Sequence, residues 1–304
     1  MTQRAVGLCL FVVMAVTFCG AAFSGESGTH YVNGVEGIKG ATLPPPGIYG
    51  RLYTLYYAAD KLIDADGNES PVAFDVDVLA LTPRVIWVSE NTILGGNYMA
   101  SILVPLVNTD ITIVTPAGTI DDSKFAMGDI CVDAFNLTWH KPGYDLVAGF
   151  GFFAPTGDYD ANEAASPGKD MWTAMFTLGT TYYFDTEKTW AASILGRYEM
   201  HSDQDERDVR YGDDLHFEWG ISKNMGKACD VGLSGYCQWQ VSDDSGSDAS
   251  WDTTVHDRVF AAGPEVTGLI APIGAAFNLR TLWEFNARDR TEGNTTCLVL
   301  TKRF

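Results

Sequence analysis

From residue 47 onward, apolar and polar residues alternate in short runs. Leu215, Phe217, Trp219 and Ile221 alternate with His216, Glu218, Gly220 and Ser222. Val231, Leu233, Cys237, Trp239 and Val241 alternate with Gly232, Ser234, Tyr236, Gln238 and Gln240. Phe277, Leu279, Trp283 and Phe285 alternate with Asn278, Arg280, Glu284 and Asn286. Residues i and i+2 share one face of a strand, so each run has an apolar side and a polar side. The pattern predicts strands near 47–59, 72–88, 94–104, 129–139, 143–153, 171–184, 188–201, 211–223, 228–241, 257–269, 273–286 and 294–304. Between Ala134 and Phe135 the apolar face switches sides, which predicts a bulge.

Twelve predicted strands make an even number, and several are long enough to cross a bilayer at a tilt, which takes about 9–11 residues. The predicted connections alternate. Long ones fall near 60–71, 105–128, 154–170, 202–210, 242–256 and 287–293, and short ones near 89–93, 140–142, 185–187, 224–227 and 270–272. Short periplasmic turns and longer outer loops are the habit of outer-membrane barrels. The expected fold is therefore all-β: a transmembrane antiparallel β-barrel of about twelve strands, with residues 47–304 as the barrel. Trp87, Trp139, Trp172, Tyr182, Tyr183, Phe184, Trp190, Trp239 and Trp283 lie near strand ends and read as headgroup-level girdles. Phe304, Leu300 and Leu298 fit the lipid side of a last strand, and Phe304 suits recognition by barrel-assembly machinery.

Composition agrees. Mean hydropathy is −0.01, as expected when lipid-facing and lumen-facing residues average out, and no run of 18 apolar residues follows the N-terminus. Arg4, the uncharged stretch Ala5 to Phe18 and the small residues Gly20, Ala21, Ala22 and Ser24 have the order of a secretory signal peptide, predicted as residues 1–24. Cleavage is expected near Ala22 or Ser24, and bulky Phe18 argues against a lipid anchor at Cys19. The Gly- and Pro-rich segment 25–46 is expected either to plug the lumen or to lie without fixed structure below it. The net charge of −19 excludes a nucleic-acid partner, because phosphate contacts need Lys and Arg. The expected partners are the bilayer, lipopolysaccharide, the assembly machinery and a small-molecule solute.

Cys131, Cys229, Cys237 and Cys297 remain after signal removal, without zinc-like spacing, and are expected as free thiols. His30, His140, His201, His216 and His256 are scattered, and no G-x-S-x-G elbow is present. His201 and His216, with Glu199 and Glu218 nearby, are the one group that suggests metal or acid–base chemistry. No catalytic residue, metal or other cofactor is expected.

The opening His30-Tyr31-Val32-Asn33-Gly34-Val35-Glu36-Gly37-Ile38-Lys39, followed by Leu43-Pro44-Pro45-Pro46-Gly47-Ile48-Tyr49, resembles that of an outer-membrane family named for the meta-cleavage pathway of phenol degradation. The segment Gly149 to Tyr159, with its Pro155-Thr156-Gly157, the run Gly263-Pro264-Glu265-Val266 and the Lys-Arg-Phe ending are also similar to that family. The resemblance spans nearly the whole mature chain. It implies a transporter-like barrel for aromatic or apolar molecules and assigns no binding residue.

Alternation and the cost of lipid-facing charge place Arg51, Asp75, Asp77, Asn97, Arg197, Glu199, His216, Glu218, Glu265, Asn278, Arg280 and Glu284 on the lumen wall. Tyr53, Tyr57, Met99, Met171, Met175 and Tyr236 would add apolar surface there. These residues read either as a pore lining or as a network that fills a narrow barrel. The expected function is an outer-membrane channel for passive uptake of small aromatic or hydrophobic molecules. The alternatives are a structural or adhesive barrel with a filled lumen and a lipid-active outer-membrane enzyme.

Overall fold

The computed structural model describes residues 27–304 apart from 117, 227 and 228; the predicted signal peptide lies outside the described residues. Fourteen strands form a single antiparallel sheet: β1 (Gly47–Ile63), β2 (Ala73–Ile93), β3 (Gly96–Leu103), β4 (Leu106–Thr115), β5 (Gly118–Met127), β6 (Ile130–His140), β7 (Tyr144–Ala154), β8 (Thr173–Tyr183), β9 (Trp190–His201), β10 (Asp214–Asn224), β11 (Asp230–Gln240), β12 (Arg258–Ile270), β13 (Ala275–Arg288) and β14 (Arg290–Arg303). Twelve of them close a barrel. β1 pairs with β2 on one side and with the last strand, β14, on the other, so the cylinder has no free edge to expose in lipid.

β4 and β5 are not barrel strands. The lower half of β2 pairs with β3 (Arg84↔Leu103) and its upper half with β4 (Ala73↔Val114), so β3 and β4 continue one line along it. β5 pairs with β4 and runs on into β6. The result is a long β-hairpin that rises from one side of the outer rim. β2, at 21 residues, is about twice the length a bilayer needs. The expected loop 105–128 is thus corrected to a hairpin. Its polar Asn108-Thr109-Asp110 and Asp121-Asp122-Ser123 look loop-like, although Ile111 and Ile113 of β4 pack against a buried cluster of Ala59, Leu62, Phe74 and Val76.

The remaining connections keep the alternation with one exception. The inner end carries the short turns, including Leu94-Gly95 with both residues at positive φ. The outer end carries 64–72, 155–172, 202–213 and 241–257. The expected loop 287–293 is corrected to a tight reversal at Asp289, between β13 and β14. In β6 the ladder slips between Val132 and Phe135, at the place where the faces switch.

The outer wall is apolar: Val85, Leu178, Trp283 and Phe285 are all at least half exposed, as suits side chains whose solvent is hydrocarbon. Trp87, Trp172, Tyr182, Phe184 and Trp190 also face out near strand ends. Tyr183 does not. It points inward, and its hydroxyl donates to Asp145 at 2.6 Å.

Candidate functional site: a lumen occupied by the chain's own N-terminus

Residues 27–46 have almost no regular structure, so their backbone N–H groups lack sheet partners and need other acceptors. Three wall glutamates supply them. Glu199 on β9 accepts the N–H groups of His30 and Tyr31. Glu218 on β10 accepts those of Glu36 and Gly37 at 3.0 and 3.2 Å, and Glu265 on β12 accepts that of Ile38 at 2.9 Å. Side chains continue the attachment. Lys39 pairs with Asp230 at 2.8 Å, and the Thr42 hydroxyl donates to Asp145 at 3.0 Å. The Gly34 carbonyl accepts from Arg280 at 2.7 Å.

These contacts order the segment along the barrel axis. Ser27 is at the outer end, where its carbonyl accepts from Lys169 in the 155–172 loop. Pro46 is at the inner end, where its carbonyl accepts from Arg303 near the C-terminus. The segment therefore fills the lumen from mouth to base. Wall glycines make room for it: a Cβ on Gly220 would meet Ile38 Cα at 2.8 Å, and one on Gly179 would meet Ala41 Cβ at 3.0 Å. Within the segment, Gly37 has φ +65° and packs against Glu265 and Arg280, an arrangement only glycine fits.

His30 anchors the outer end. Its ring stacks on Phe153 at 4.8 Å, with Nδ1 2.6 Å from Thr173 Oγ1 and Nε2 2.8 Å from Asp129. Asp129 lies at the rim between β5 and β6. Burial opposes its ionisation, but the bond to His30 and the N–H groups of Gly157 and Lys169 hold its carboxyl below the usual range. Beneath it, Asn33 Oδ1, His216 and Glu199 form a chain, with His216 Nδ1 2.9 Å from Asn33 and Nε2 3.0 Å from Glu199. Tyr31 bonds to Glu218 through its hydroxyl. Glu199, His201 and Asp214 bring potential metal-ligating atoms within 4.8 Å of one another. Those groups are buried and bonded to neighbours: His201 bridges Thr173 and Asp214, and Glu199 holds Tyr31 and His216.

At mid-height sits an arginine cluster. Arg51 on β1 donates to one oxygen of Glu36 at 3.0 Å, and Arg84 on β2 to the other at 2.9 Å. Arg197 on β9 lies 3.7 Å from Glu36 and 4.0 Å over the Tyr31 ring. Arg84 also donates to Asp133 on β6 at 2.6 Å.

Two cavities flank this cluster. The outer one, about 430 Å³, is lined by Tyr53, Leu55, Tyr57, Val78, Ala80 and Leu103 on the wall and by residues 29–33, Val35 and Glu36 on the plug side. The inner one, about 220 Å³, is lined by Ile38, Leu43, Arg51, Asp230 and Arg280 among others. Val35 and Glu36 line both.

Of the wall residues expected from sequence, Arg51, Asn97, Arg197, Glu199, His216, Glu218, Glu265, Asn278, Arg280 and Glu284 lie on the inward face of their strands. Asp75 and Asp77 are corrected. They share the outward face of β2 with Leu79, Leu81 and Val85, and Asp77 accepts from the Tyr56 hydroxyl. The charge argument misplaced them because that end of β2 pairs with the raised hairpin. Met171 is also corrected: it packs with Val209 and Tyr211 in the outer loops. Tyr53, Tyr57, Met175 and Tyr236 line the outer cavity. Arg84, Asp133 and Glu36 were missed. Arg84 alternates with Val85, so strict parity from Val85 and Trp87 would have found it.

Comparisons with known proteins follow this architecture. A crystallised outer membrane channel from Pseudomonas putida F1 superimposes with a TM-score of 0.74 at 14% identity, covering 87% of this chain and 97% of that one. The translocator domain of the autotransporter NalP from Neisseria meningitidis gives 0.52 at 9% identity, covering 88% and 91%. The transport unit of the autotransporter AIDA-I from Escherichia coli gives 0.50 at 10% identity, covering 92% and 95%. The fold is that of outer-membrane barrels. No curated protein matches it in sequence. Residues 59–299 match the model of a family described as "Putative MetA-pathway of phenol degradation".

Proposed function

The chain belongs to that phenol-degradation family, and we propose that it is an outer-membrane channel for passive passage of small aromatic or apolar molecules. The observation that carries this reading is the outer cavity, walled by Tyr53, Leu55, Tyr57, Val78, Ala80 and Leu103 and floored by the plug. Its volume lies within the roughly 300–1,000 Å³ of small-molecule sites, and its apolar wall meets a charged side that includes Arg84, Arg197, Glu284 and Arg290. A solute enters from the outer mouth, leaves water in this cavity, and passes when the segment around Val35 and Glu36 shifts. The attachments of the plug are hydrogen bonds and ion pairs to the wall rather than covalent links, and a channel can break and remake them. The buried His201, His216, Glu199 and Glu218 act here as plug supports, which argues against lipid chemistry on the outer wall. Phe304, 79% exposed beyond β14, is the end we propose for the assembly machinery.

A second reading, a structural barrel with a permanently filled lumen, draws support from the number of plug attachments. Liposome permeability separates the two. The channel reading expects flux of benzyl alcohol or phenol above that of protein-free vesicles. No flux of any solute, in wild type or in a plug-loosened variant, would leave the structural reading.

A further inference from the structure

The arginine cluster at mid-lumen is built like a receptor whose ligand is part of the chain. Its three cations come from β1, β2 and β9, which are fixed in the barrel wall. The carboxylate they hold comes from Glu36, on a segment with no sheet pairing. Arg51 and Arg84 each take one oxygen of that carboxylate, and the Tyr53 hydroxyl donates to it at 3.2 Å. This fork suits any carboxylate. Arg197 is incompletely used. Its side chain is nine-tenths buried, and its Nε has no hydrogen-bond partner among the described residues. The cluster's acids are Glu36 and Asp133, with Glu218 beyond Tyr31. Three arginines thus face two carboxylates in direct contact. Removing Glu36 leaves buried cations that call for another anion.

The position adds a second constraint. The apolar outer cavity ends on this cluster, with Arg84, Arg197 and Glu36 in its lining. The inner cavity begins on the other side of Glu36, beside Arg51. A ligand with a flat apolar body and one carboxylate would place its ring among Leu55, Val78 and Leu103 and its anion toward the arginines. We propose that Arg51, Arg84 and Arg197 form a binding site for the carboxylate of a small aromatic acid, and that Glu36 is the built-in competitor it displaces. The inference rests on the channel reading and narrows its solute class. Displacing Glu36 joins the two cavities, so the solute that fits the site also opens the way through it.

The test is calorimetric titration of the purified protein in detergent with benzoate, benzyl alcohol and inorganic phosphate. Glu36→Gln keeps the shape and removes the competing charge. It is expected to tighten benzoate binding roughly tenfold or more, and to leave benzyl alcohol unchanged. Adding Arg197→Gln to that variant should remove the gain. Unchanged benzoate affinity in folded Glu36→Gln protein overturns the proposal, and so does an equal gain for phosphate, which would make the site a general anion trap. If Glu36→Gln does not fold, Arg197→Gln alone decides. It must weaken benzoate and spare benzyl alcohol; equal affinities for both proteins overturn the site. Flux of benzyl alcohol in liposomes reads the channel separately. Absence of flux with benzoate binding intact would end the channel reading and leave the anion site standing.

Discussion

Both oxygens of Glu199 accept the backbone N–H of Tyr31, at 3.0 and 3.2 Å. A wall carboxylate on β9 thereby holds a main-chain donor of the segment that fills the barrel. Glu199 also takes the N–H of His30 and lies against His216. Glu199→Ala would orphan these donors at about 1–3 kcal/mol each. The expected result is a barrel that still assembles but whose plug detaches more readily, read as increased single-channel conductance. Conductance equal to wild type would count against the plug being held this way.

Gly37 offers a steric test. At φ +65°, a Cβ there would fall 2.2 Å from Glu265 Oε2. Gly37→Val is expected to push the segment off the β12 wall, increasing solute flux and exposing residues near Ile38 to protease. A variant no more permeable and no more protease-sensitive than wild type would mean that the segment can re-seat.

The outward face of β8 should reject charge. Leu178 faces lipid, 69% exposed. It sits at the centre of β8, so Leu178→Arg is expected to cost about 2–4 kcal/mol, measured by urea-dependent folding into vesicles. Leu178→Phe should fold like wild type.

Asp75 and Asp77 stand outside the lumen on β2. Asp75→Asn and Asp77→Asn should leave ion selectivity unchanged, with stability within about 0.5 kcal/mol of wild type. A change in the reversal potential across a salt gradient would put them back in the conduction path.

Acid should loosen the outer end of the plug. The Asp129 carboxyl is held below its ordinary value of 3.8, so its contribution is complete above that pH and is lost as pH falls through the lower native value. Plug release, followed by a spin label near His30, should therefore steepen below about pH 4, and Asp129→Asn should flatten that response.

Most of the barrel was legible in the sequence because the bilayer imposes a strict period-two contrast. The face switch at Ala134 and Phe135 even located the bulge in β6. Where lipid stops, the contrast stops. The hairpin of β4 and β5 stands beyond the twelve-strand cylinder, and its runs of Asp, Asn and Thr read as loop even though Ile111 and Ile113 pack against β1 and β2. The plug was less legible, since residues 27–46 carry no periodic pattern and most of their wall partners lie far along the chain, as with Glu36 and Arg197. Arg84 shows the same limit: its inward face follows from parity, but its pairing with Glu36 comes only from the folded barrel.

One topological consequence follows from the seam between β1 and β14. Among the described residues the lumen segment runs from the outer mouth to β1 at the inner rim, so the first and last strands pair around it. Opening that seam would uncover the lumen segment along its height, so the pairing that completes the cylinder also encloses what fills it.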